Sequence, residues 1–337
     1  MPEPSVTVVI PTLAADQTLG ECLASLEKQS RRDFEVIVVD NGGQDNAALQ
    51  LAKRTGAIIV KPGRNVGFGA AINLGYRRSR ARFLATLNDD AVAHPHWLAA
   101  LLAAMEARTD AGMGASQVRM LGEDRLDSAG MLMCGDGSSR QRGHGSAVGT
   151  FCQSEEVLLP SGSAAIYRRA MLEEIGLFDE DFFLYCEDTD LGLRARWAGW
   201  TCLYVADAVV DHHYSHSAGR ASALKAYYVE RNRLFVIAKN FPAAMLLAAP
   251  FVTMARYAWH LRWMLARRGA AARFREEEGS TLLLIWIAVR AHLVCLARCV
   301  SLWRSRRAVR RTARISSAAF RELLAAHAIS ARRLAEL

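Results

Sequence analysis

Short, uninterrupted apolar runs alternate with stretches of helical periodicity over the first third of the chain. Val6–Pro11 and Phe34–Asp40 are continuous apolar segments, the pattern of strands covered on both faces. Between them, Gln17–Ser30 carries Leu19, Cys22, Leu23 and Leu26 on one helical face. Gln44–Arg54 repeats that spacing with Ala47, Ala48 and Leu51. Ala57–Val60 then reads as a third strand, Phe68–Ser79 as a helix, Arg82–Leu87 as a fourth strand and Pro95–Ala107 as a helix with proline near its first turn. This succession predicts an α/β fold with a mainly parallel, doubly wound sheet, whose ligands sit beyond the carboxyl ends of the strands. Those ends carry Thr12, Asp40 and Asn88-Asp89-Asp90.

Residues 119–156 change character. Gly122, Gly130, Gly135, Gly137, Gly143, Gly145 and Gly149 break any long helix and predict loops and short hairpins. Regular structure resumes with Val157–Leu159, Ser163–Tyr167, helices near Arg169–Ile175 and through Asp188–Ala198, and short strands at Thr201–Val205 and Ala208–Asp211. The body is expected to close near residue 220, leaving 221–337 as a helical, amphipathic appendage. That appendage opens with a helix, Ala223–Asn240, and continues with two apolar stretches, Phe241–Ala255 and Thr281–Trp303. The second is interrupted by Arg290 and Arg298. Neither offers the ~20 predominantly apolar residues of a bilayer span.

Composition adds room for a sizeable core, since 51% of the 337 residues are apolar. Charge adds more, because the net +8 is unevenly placed. Residues 256–337 hold 17 Arg, no Lys and 5 Glu, a balance of +12, whereas the preceding 255 residues balance at −4. Arg256, Arg262, Arg267 and Arg268 with Trp259 and Trp263 suggest helices lying in a membrane interface. A helical subdomain packed on the core or on a partner is the alternative, and a homodimer through these helices stays open. Nucleic-acid binding is a third reading of the arginines, opposed by the Leu, Ile and Trp content. Seven cysteines without a CxxC pair argue against a disulfide framework and for a reducing, cytosolic setting. Met1-Pro2-Glu3-Pro4 runs straight into the first strand, so no secretory leader is expected.

The candidate chemistry is acidic. Asn88-Asp89-Asp90 at a strand end makes a hard, oxygen-rich site suited to Mg²⁺ or Mn²⁺ carrying a diphosphate; taken alone, the same residues read equally well as solvated loop acids. A second cluster, Glu187-Asp188-Thr189-Asp190, offers a carboxylate able to take a proton from an acceptor hydroxyl. Asp40-Asn41-Gly42-Gly43 can present an acid to the imide N–H of a uracil or thymine base, and reads otherwise as a turn. Arg64-Asn65-Val66-Gly67-Phe68-Gly69 before a helix is a weak phosphate signal.

Taken in order, VTVVIPT, VIVVDNGG, RNVGFGAAINLG, LNDD, SGSAAIYRRAM, IGLFDEDFFLYCEDTDLGLRARWAGW, VVDHHYSHS and YYVERNRLFVIAKNFP resemble the inverting family 2 glycosyltransferases of GT-A fold. The likeness covers about residues 5–242 and is greatest to the rhamnosyltransferase-like branch. It implies a nucleotide-sugar half over about 1–118 and an acceptor half over about 119–220. On this resemblance Asp40, with Thr12 near it, binds the nucleotide base, and Asn65 and Asn73 lie around the nucleotide-sugar. Asn88 and Asp90 frame the metal motif, Asp90 as ligand, while Asp89 faces donor sugar or ribose. Asp188 is the catalytic base, with Glu187 beside it in the acceptor site as the second catalytic residue, and His212, or alternatively His213, is a further metal ligand.

Two departures matter. Thr12-Leu13-Ala14 stands where the family often has Thr-Tyr-Asn, and Asn88 replaces the first acid of Asp-x-Asp. Arg196-Trp197 lacks the upstream Gln of processive synthases and lies too early, so a non-processive enzyme is expected. The implied activity is metal-dependent, inverting transfer of a sugar, rhamnose by branch, from a dTDP- or UDP-sugar to a glycan or lipid-linked glycan, with the enzyme peripheral at the inner face of the cell membrane. An NAD-type oxidoreductase is opposed by Pro11-Thr12-Leu13-Ala14-Ala15, which holds no glycine fingerprint. A sugar-nucleotide nucleotidyltransferase is opposed by the lack of a Gly-rich, Arg/Lys-bearing loop there. A catalytically silent, membrane-attached scaffold of a glycan-assembly complex is the alternative from another class.

Overall fold

The computed structural model describes residues 3–13, 17–43, 47–213, 222–278 and 280–336. The start of the helix expected from Gln44, the Ala14 position and the expected close of the body near 220 lie outside the described residues. The described chain forms two compact units. The first takes Met1–Met131, Gln141–Arg196 and Trp200–Tyr214.

In that unit the strands β1 (Val6–Thr12), β2 (Phe34–Asp40), β3 (Ile58–Val60) and β4 (Phe83–Leu87) alternate with α1 (Thr18–Glu27), α2 (Ala47–Arg54) and α3 (Phe68–Arg78). β1 pairs in parallel with β2 and β4, and β2 with β3. All of β1 is buried, because its Val/Ile run has no polar side to turn to water. Its residues split between the sheet's faces with period two. Val6, Val8 and Ile10 pack with α1 and α4 (Trp97–Ala107), whereas Val9, Ile37 and Val39 pack with α3. Both faces are therefore covered, as the continuous apolar runs predicted.

The sheet continues through β5 (Ala91–Ala93), β6 (Ala111–Met120), β7 (Leu126–Ser128), β10 (Glu155–Val157), β11 (Ala164–Arg168) and β12 (Thr201–His212), with α5 (Arg169–Ile175) and α6 (Glu187–Trp197) between the last two strands, while β8 (Met131–Met133) and β9 (Ser139–Gln141) lie outside it. The main order is β10-β12-β6-β11-β4-β1-β2-β3, β5 and β7 pairing at the side and β8–β9 forming a separate ribbon. β11 runs antiparallel to both β4 and β6, so the sheet is mixed.

Two elements differ from the sequence expectation. β6 was not anticipated, because Ala111-Gly112-Met113-Gly114-Ala115 is too poor in branched residues to read as a strand. Its neighbours leave no space for larger ones: a Cβ on Gly112 would stand 2.5 Å from Met171 Sδ, and one on Gly114 2.6 Å from Ile166 Cγ2. The two short strands expected at Thr201–Val205 and Ala208–Asp211 are one strand, β12, whose register against β6 shifts between Val205 and Val209, as at a bulge.

The second unit takes Leu132–Arg140, Trp197–Gly199 and Ser215–Leu337; it thus includes a hairpin and a turn from the middle of the chain. Its helices are α7 (Ala223–Asn240), α8 (Ala243–Leu265), α9 (Gly269–Glu278), α10 (Thr281–Ala297), α11 (Cys299–Thr312), α12 (Ser317–Ala326) and α13 (Ala331–Glu336). α7 packs on α10 and α11, and α8 on α9 and α13. Trp197 is buried, stacked on Phe320 at 4.0 Å and covered by Arg310, with its indole N–H donating to Asn240 O at 2.9 Å.

Arg256, expected at a membrane surface, is instead buried in an ion cluster. It pairs with Asp136 and, at 2.8 Å, with Glu230, while Arg233 pairs with Glu230 and donates to Asp136 O at 3.1 Å. Two guanidinium groups against two carboxylates neutralise one another, which is the condition for burying them. Among the described residues no single helix is long and apolar enough to cross a membrane.

Candidate active site

Parallel pairing puts Thr12 and Asp40 side by side at the ends of β1 and β2. Thr12 Oγ1 donates to Asp89 Oδ2 at 2.6 Å, tying the end of β1 to the segment after β4. Asp40 is fully buried, and its Oδ1 accepts from Gly42 N at 3.1 Å and Gly43 N at 2.8 Å. Among the described residues its Oδ2 is buried without a hydrogen-bond partner. The turn reading and the base-binding reading of Asp40 therefore describe different oxygens of one carboxylate.

Asp90 is buried and its Oδ1, which makes no hydrogen bond of good geometry, lies 3.0 Å from His212 Nε2. Asn88 Nδ2 is 3.1 Å from the same nitrogen. His212 reaches this place because the end of β12 pairs with β5, His212 opposite Ala91. His213 instead gives its N–H to Asp90 O at 3.0 Å and directs Nε2 to Glu21 Oε2 at 3.2 Å. Of the two histidines, His212 is the one facing Asp90.

His212 has a further partner that the sequence did not reveal. Its Nδ1 lies 3.1 Å from Asp127 Oδ2, and Asp127 Oδ1 lies 3.2 Å from His144 Nδ1. Asp127 sits on β7, within the glycine-rich stretch read as loops, and no spacing to His212 marks it; only the fold joins them. Burial disfavours a charged His212, but its hydrogen bond to Asp127 and the close carboxylate charges of Asp90 and Asp127 outweigh it and push its pKa up to about 10. Burial also opposes ionisation of Asp127, yet His144 and His212 hold its carboxyl well below the usual range.

The second acidic cluster opens α6. Asp188 Oδ2 accepts from Gly162 N at 2.9 Å, and Oδ1 from Thr189 N at 2.6 Å. Gly162 O in turn accepts from Thr86 Oγ1 at 2.8 Å on β4, and Asn88 N donates to Ser163 O at 2.9 Å. One short segment before β11 thus bonds both to the residues beside the Asn-Asp-Asp run and to Asp188. Burial raises the Asp188 pKa against these hydrogen bonds. Glu187 is buried more deeply, with Oε2 unpartnered, and burial together with the Asp188 charge pushes it up to about 8. Burial thus pushes both carboxyls toward the neutral form, and the charge of Asp188 adds to the push on Glu187.

The approach to this cluster is strained. Phe183, Tyr185 and Cys186 have φ of 64°, 67° and 65°, left-handed values that non-glycine residues adopt at a cost of ~1–3 kcal/mol each. Buried contacts hold the segment: Phe68 N donates to Phe183 O at 2.8 Å, and Gly67, itself at φ 85°, leaves 2.1 Å between a built Cβ and that oxygen. Behind α6, Arg194 pairs with Asp190 at 2.9 Å and caps the carbonyls of Ile175, Gly176 and Leu177.

Asn65 and Asn73 have structural partners. Asn65 Oδ1 accepts from Gly67 N at 2.9 Å. Asn73 donates to Phe178 O and Glu180 Oε1 and accepts from Phe178 N, so both its N–H groups are engaged in holding the 178–180 segment. Asn65 also lines a cleft of about 370 Å³ with Arg64, Arg77 and Glu180, and none of the carboxylates of the Asn88–Asp90 run borders that cleft.

The fold is that of GT-A glycosyltransferases. The fold aligns with GalNAc-T7, solved with UDP, GalNAc and Mn²⁺, at a TM-score of 0.60 and 15% identity, over 82% of this chain and 55% of that one. It aligns with the mannosyltransferase PcManGT of Pyrobaculum calidifontis, in complex with GDP-Man and Mn²⁺, at 0.54 and 16% identity, over 92% and 86%. Residues 7–176 match glycosyl transferase family 2. The chain belongs to that family and is a glycosyltransferase. Within it, the chain is 31% identical over 257 residues to N-acetylglucosaminyl-diphospho-decaprenol L-rhamnosyltransferase of Mycobacterium tuberculosis, covering 66% of this chain and 82% of that protein; it is rhamnosyltransferase-like.

Proposed function

We propose that this enzyme transfers one sugar, rhamnose, from a dTDP- or UDP-sugar to a lipid-linked glycan acceptor, with inversion at the transferred carbon. The relative's name supports the sugar and the lipid diphosphate acceptor. The observation that carries the catalytic reading is the 162–163 segment, bonded to Asp188 on one side and to Asn88 on the other. It brings the two acidic clusters to the end of one strand.

In this reading Asp188 accepts the proton of the acceptor hydroxyl as the new bond forms. Gly162 N and Thr189 N fix its oxygens. Glu187, pushed toward its neutral form, spares the base a second negative charge. Asp40 offers its free oxygen to the imide N–H of the base, and Thr12 orients Asp89 toward the donor.

Asp90 and His212 offer two ligands for a divalent cation. Among the described residues no cluster of three His, Cys, Asp or Glu side chains is present to hold one, so diphosphate oxygens would complete its shell. Binding would displace the proton that His212 holds against Asp90. A buried carboxylate oxygen without a hydrogen bond faces an imidazole nitrogen whose ring is held from behind by a carboxylate, the way protein sites orient a ligating histidine. Asp90 and His212 would hold Mg²⁺ or Mn²⁺, which supplies charge stabilisation to the leaving diphosphate. Every group named belongs to the first unit, to which catalysis is assigned.

The test is a panel of nucleotide-sugars incubated with a lipid-diphosphate-linked N-acetylglucosamine acceptor, with Mg²⁺, with Mn²⁺ and with EDTA. Transfer of rhamnose that EDTA abolishes is expected. Absence of metal-dependent nucleotide binding by calorimetry would favour the silent scaffold instead.

A further inference from the structure

The second unit exposes a continuous apolar line that the sheet domain's chemistry does not use. On α10 and the start of α11, Leu282, Ile285, Trp286, Leu293, Leu296 and Trp303 are 56–77% exposed. On α10 their spacing confines them to an arc of about 100° of the helix. Ile287 and Ala291, on the opposite side of α10, are buried. Monomeric soluble proteins rarely leave so long an apolar surface in water.

The line does not end in neutral surface. Continuing the same helical spacing along α11, the next exposed residues are Arg304, Arg307 and Arg311. The orientation is fixed from the other side of the helix, where Arg306 donates to Ala238 O at 3.1 Å and Arg310 to Phe241 O at 3.1 Å. Residues 281–312 contain seven arginines and no acidic residue.

We propose that this face of α10–α11 docks on a bilayer surface carrying anionic phospholipids. The apolar line enters the acyl boundary and Arg304, Arg307 and Arg311 meet the headgroup phosphates. Charge decides against the other occupant: a twofold dimer sets the same patch against itself, and here that would bring a patch whose charges are all positive onto its copy, with no acid to answer them. The site lies further along the chain than the Arg256–Arg268 segment that the sequence favoured, of which Arg256 is spent inside the ion cluster while Arg262, Arg267 and Arg268 are exposed. The inference stands whichever sugar the enzyme moves.

Flotation of the full chain with vesicles tests it. Wild type is expected to float with phosphatidylcholine–phosphatidylglycerol vesicles, to release at high salt, and to bind phosphatidylcholine alone far more weakly. The triple variant Arg304→Ala, Arg307→Ala, Arg311→Ala should partition on the order of 100-fold more weakly. Trp286→Gln with Leu293→Gln should lose binding while keeping the wild-type circular dichroism spectrum. Brominated lipids should quench the wild-type tryptophan fluorescence, a readout that needs no variant. Failure of wild type to float with the anionic vesicles, or unchanged binding by folded variants, overturns the proposal. So does a dimer in light scattering that Trp286→Gln with Leu293→Gln disperses, since a second copy would then cover the face.

Discussion

Asp188→Asn isolates the base from the site that holds it. The side chain keeps its size, but an amide can satisfy only one of the two backbone donors that Asp188 now accepts, Gly162 N at 2.9 Å or Thr189 N at 2.6 Å. The other N–H then faces an NH₂, a penalty of ~1–3 kcal/mol in stability, small enough to leave the unit folded. Loss of the proton acceptor is the larger effect. General-base assistance is worth ~10²–10⁴-fold, or ~3–5 kcal/mol of barrier at ~1.36 kcal/mol per tenfold. The assay is single-turnover transfer from the best nucleotide-sugar, alongside calorimetric donor binding and a thermal melt. Turnover should fall by that factor with donor affinity close to wild type. Because burial raises the Asp188 pKa, the wild-type kcat/KM should rise with pH through a limb above the usual carboxylate range, and the variant should lose it. Near-wild-type turnover, or a pH limb that survives the substitution, would refute the reasoning.

Other outcomes follow from the same contacts. Asp127→Asn should weaken Mn²⁺ binding, read by calorimetry or electron paramagnetic resonance, by ~10–100-fold, the usual weight of a carboxylate behind a ligating histidine; unchanged affinity would detach Asp127 from the site. Glu187 rises from its ordinary 4.5 to about 8 on folding, so the folded state holds a proton that the unfolded chain releases, and stability should fall as pH rises across that window. Glu187→Gln should flatten that dependence in urea titrations and retain most of the transfer activity. In the second unit, Arg256→Ala leaves Asp136 and Glu230 with one guanidinium between them and should cost ~3–5 kcal/mol. Both carboxyls are held below their usual range, by Arg256 and Arg233 against the cost of burial. Their contribution is therefore present above ~4 and should be lost on further acidification, a drop that Arg256→Ala should blunt.

The parallel half of the sheet was legible because its strands are buried on both faces and so leave unbroken apolar runs. The acids at its ends were legible too, since a strand end followed by a pair of acids is a local signal. β6 was not, because a strand squeezed between Met171 and Ile166 must be written in glycine and alanine. Asp127 was hidden for a different reason. It meets His212 across 85 residues, and nothing local separates it from any other acid in a loop-like stretch. The strain at Phe183, Tyr185 and Cys186 is likewise imposed by tertiary contacts. Arg256 shows the reverse case, a residue whose local amphipathic pattern pointed outward while long-range acids drew it in.

Inverting transfer requires Asp188 and the Asn88–Asp90 run to serve opposite sides of one reacting carbon. Nuclear magnetic resonance of the first-formed product, comparing its anomeric configuration with that of the nucleotide-sugar consumed, tests this most directly. A single displacement predicts complete inversion. Product of retained configuration would require an intermediate for which this arrangement supplies no base-assisted single step, and would contradict it.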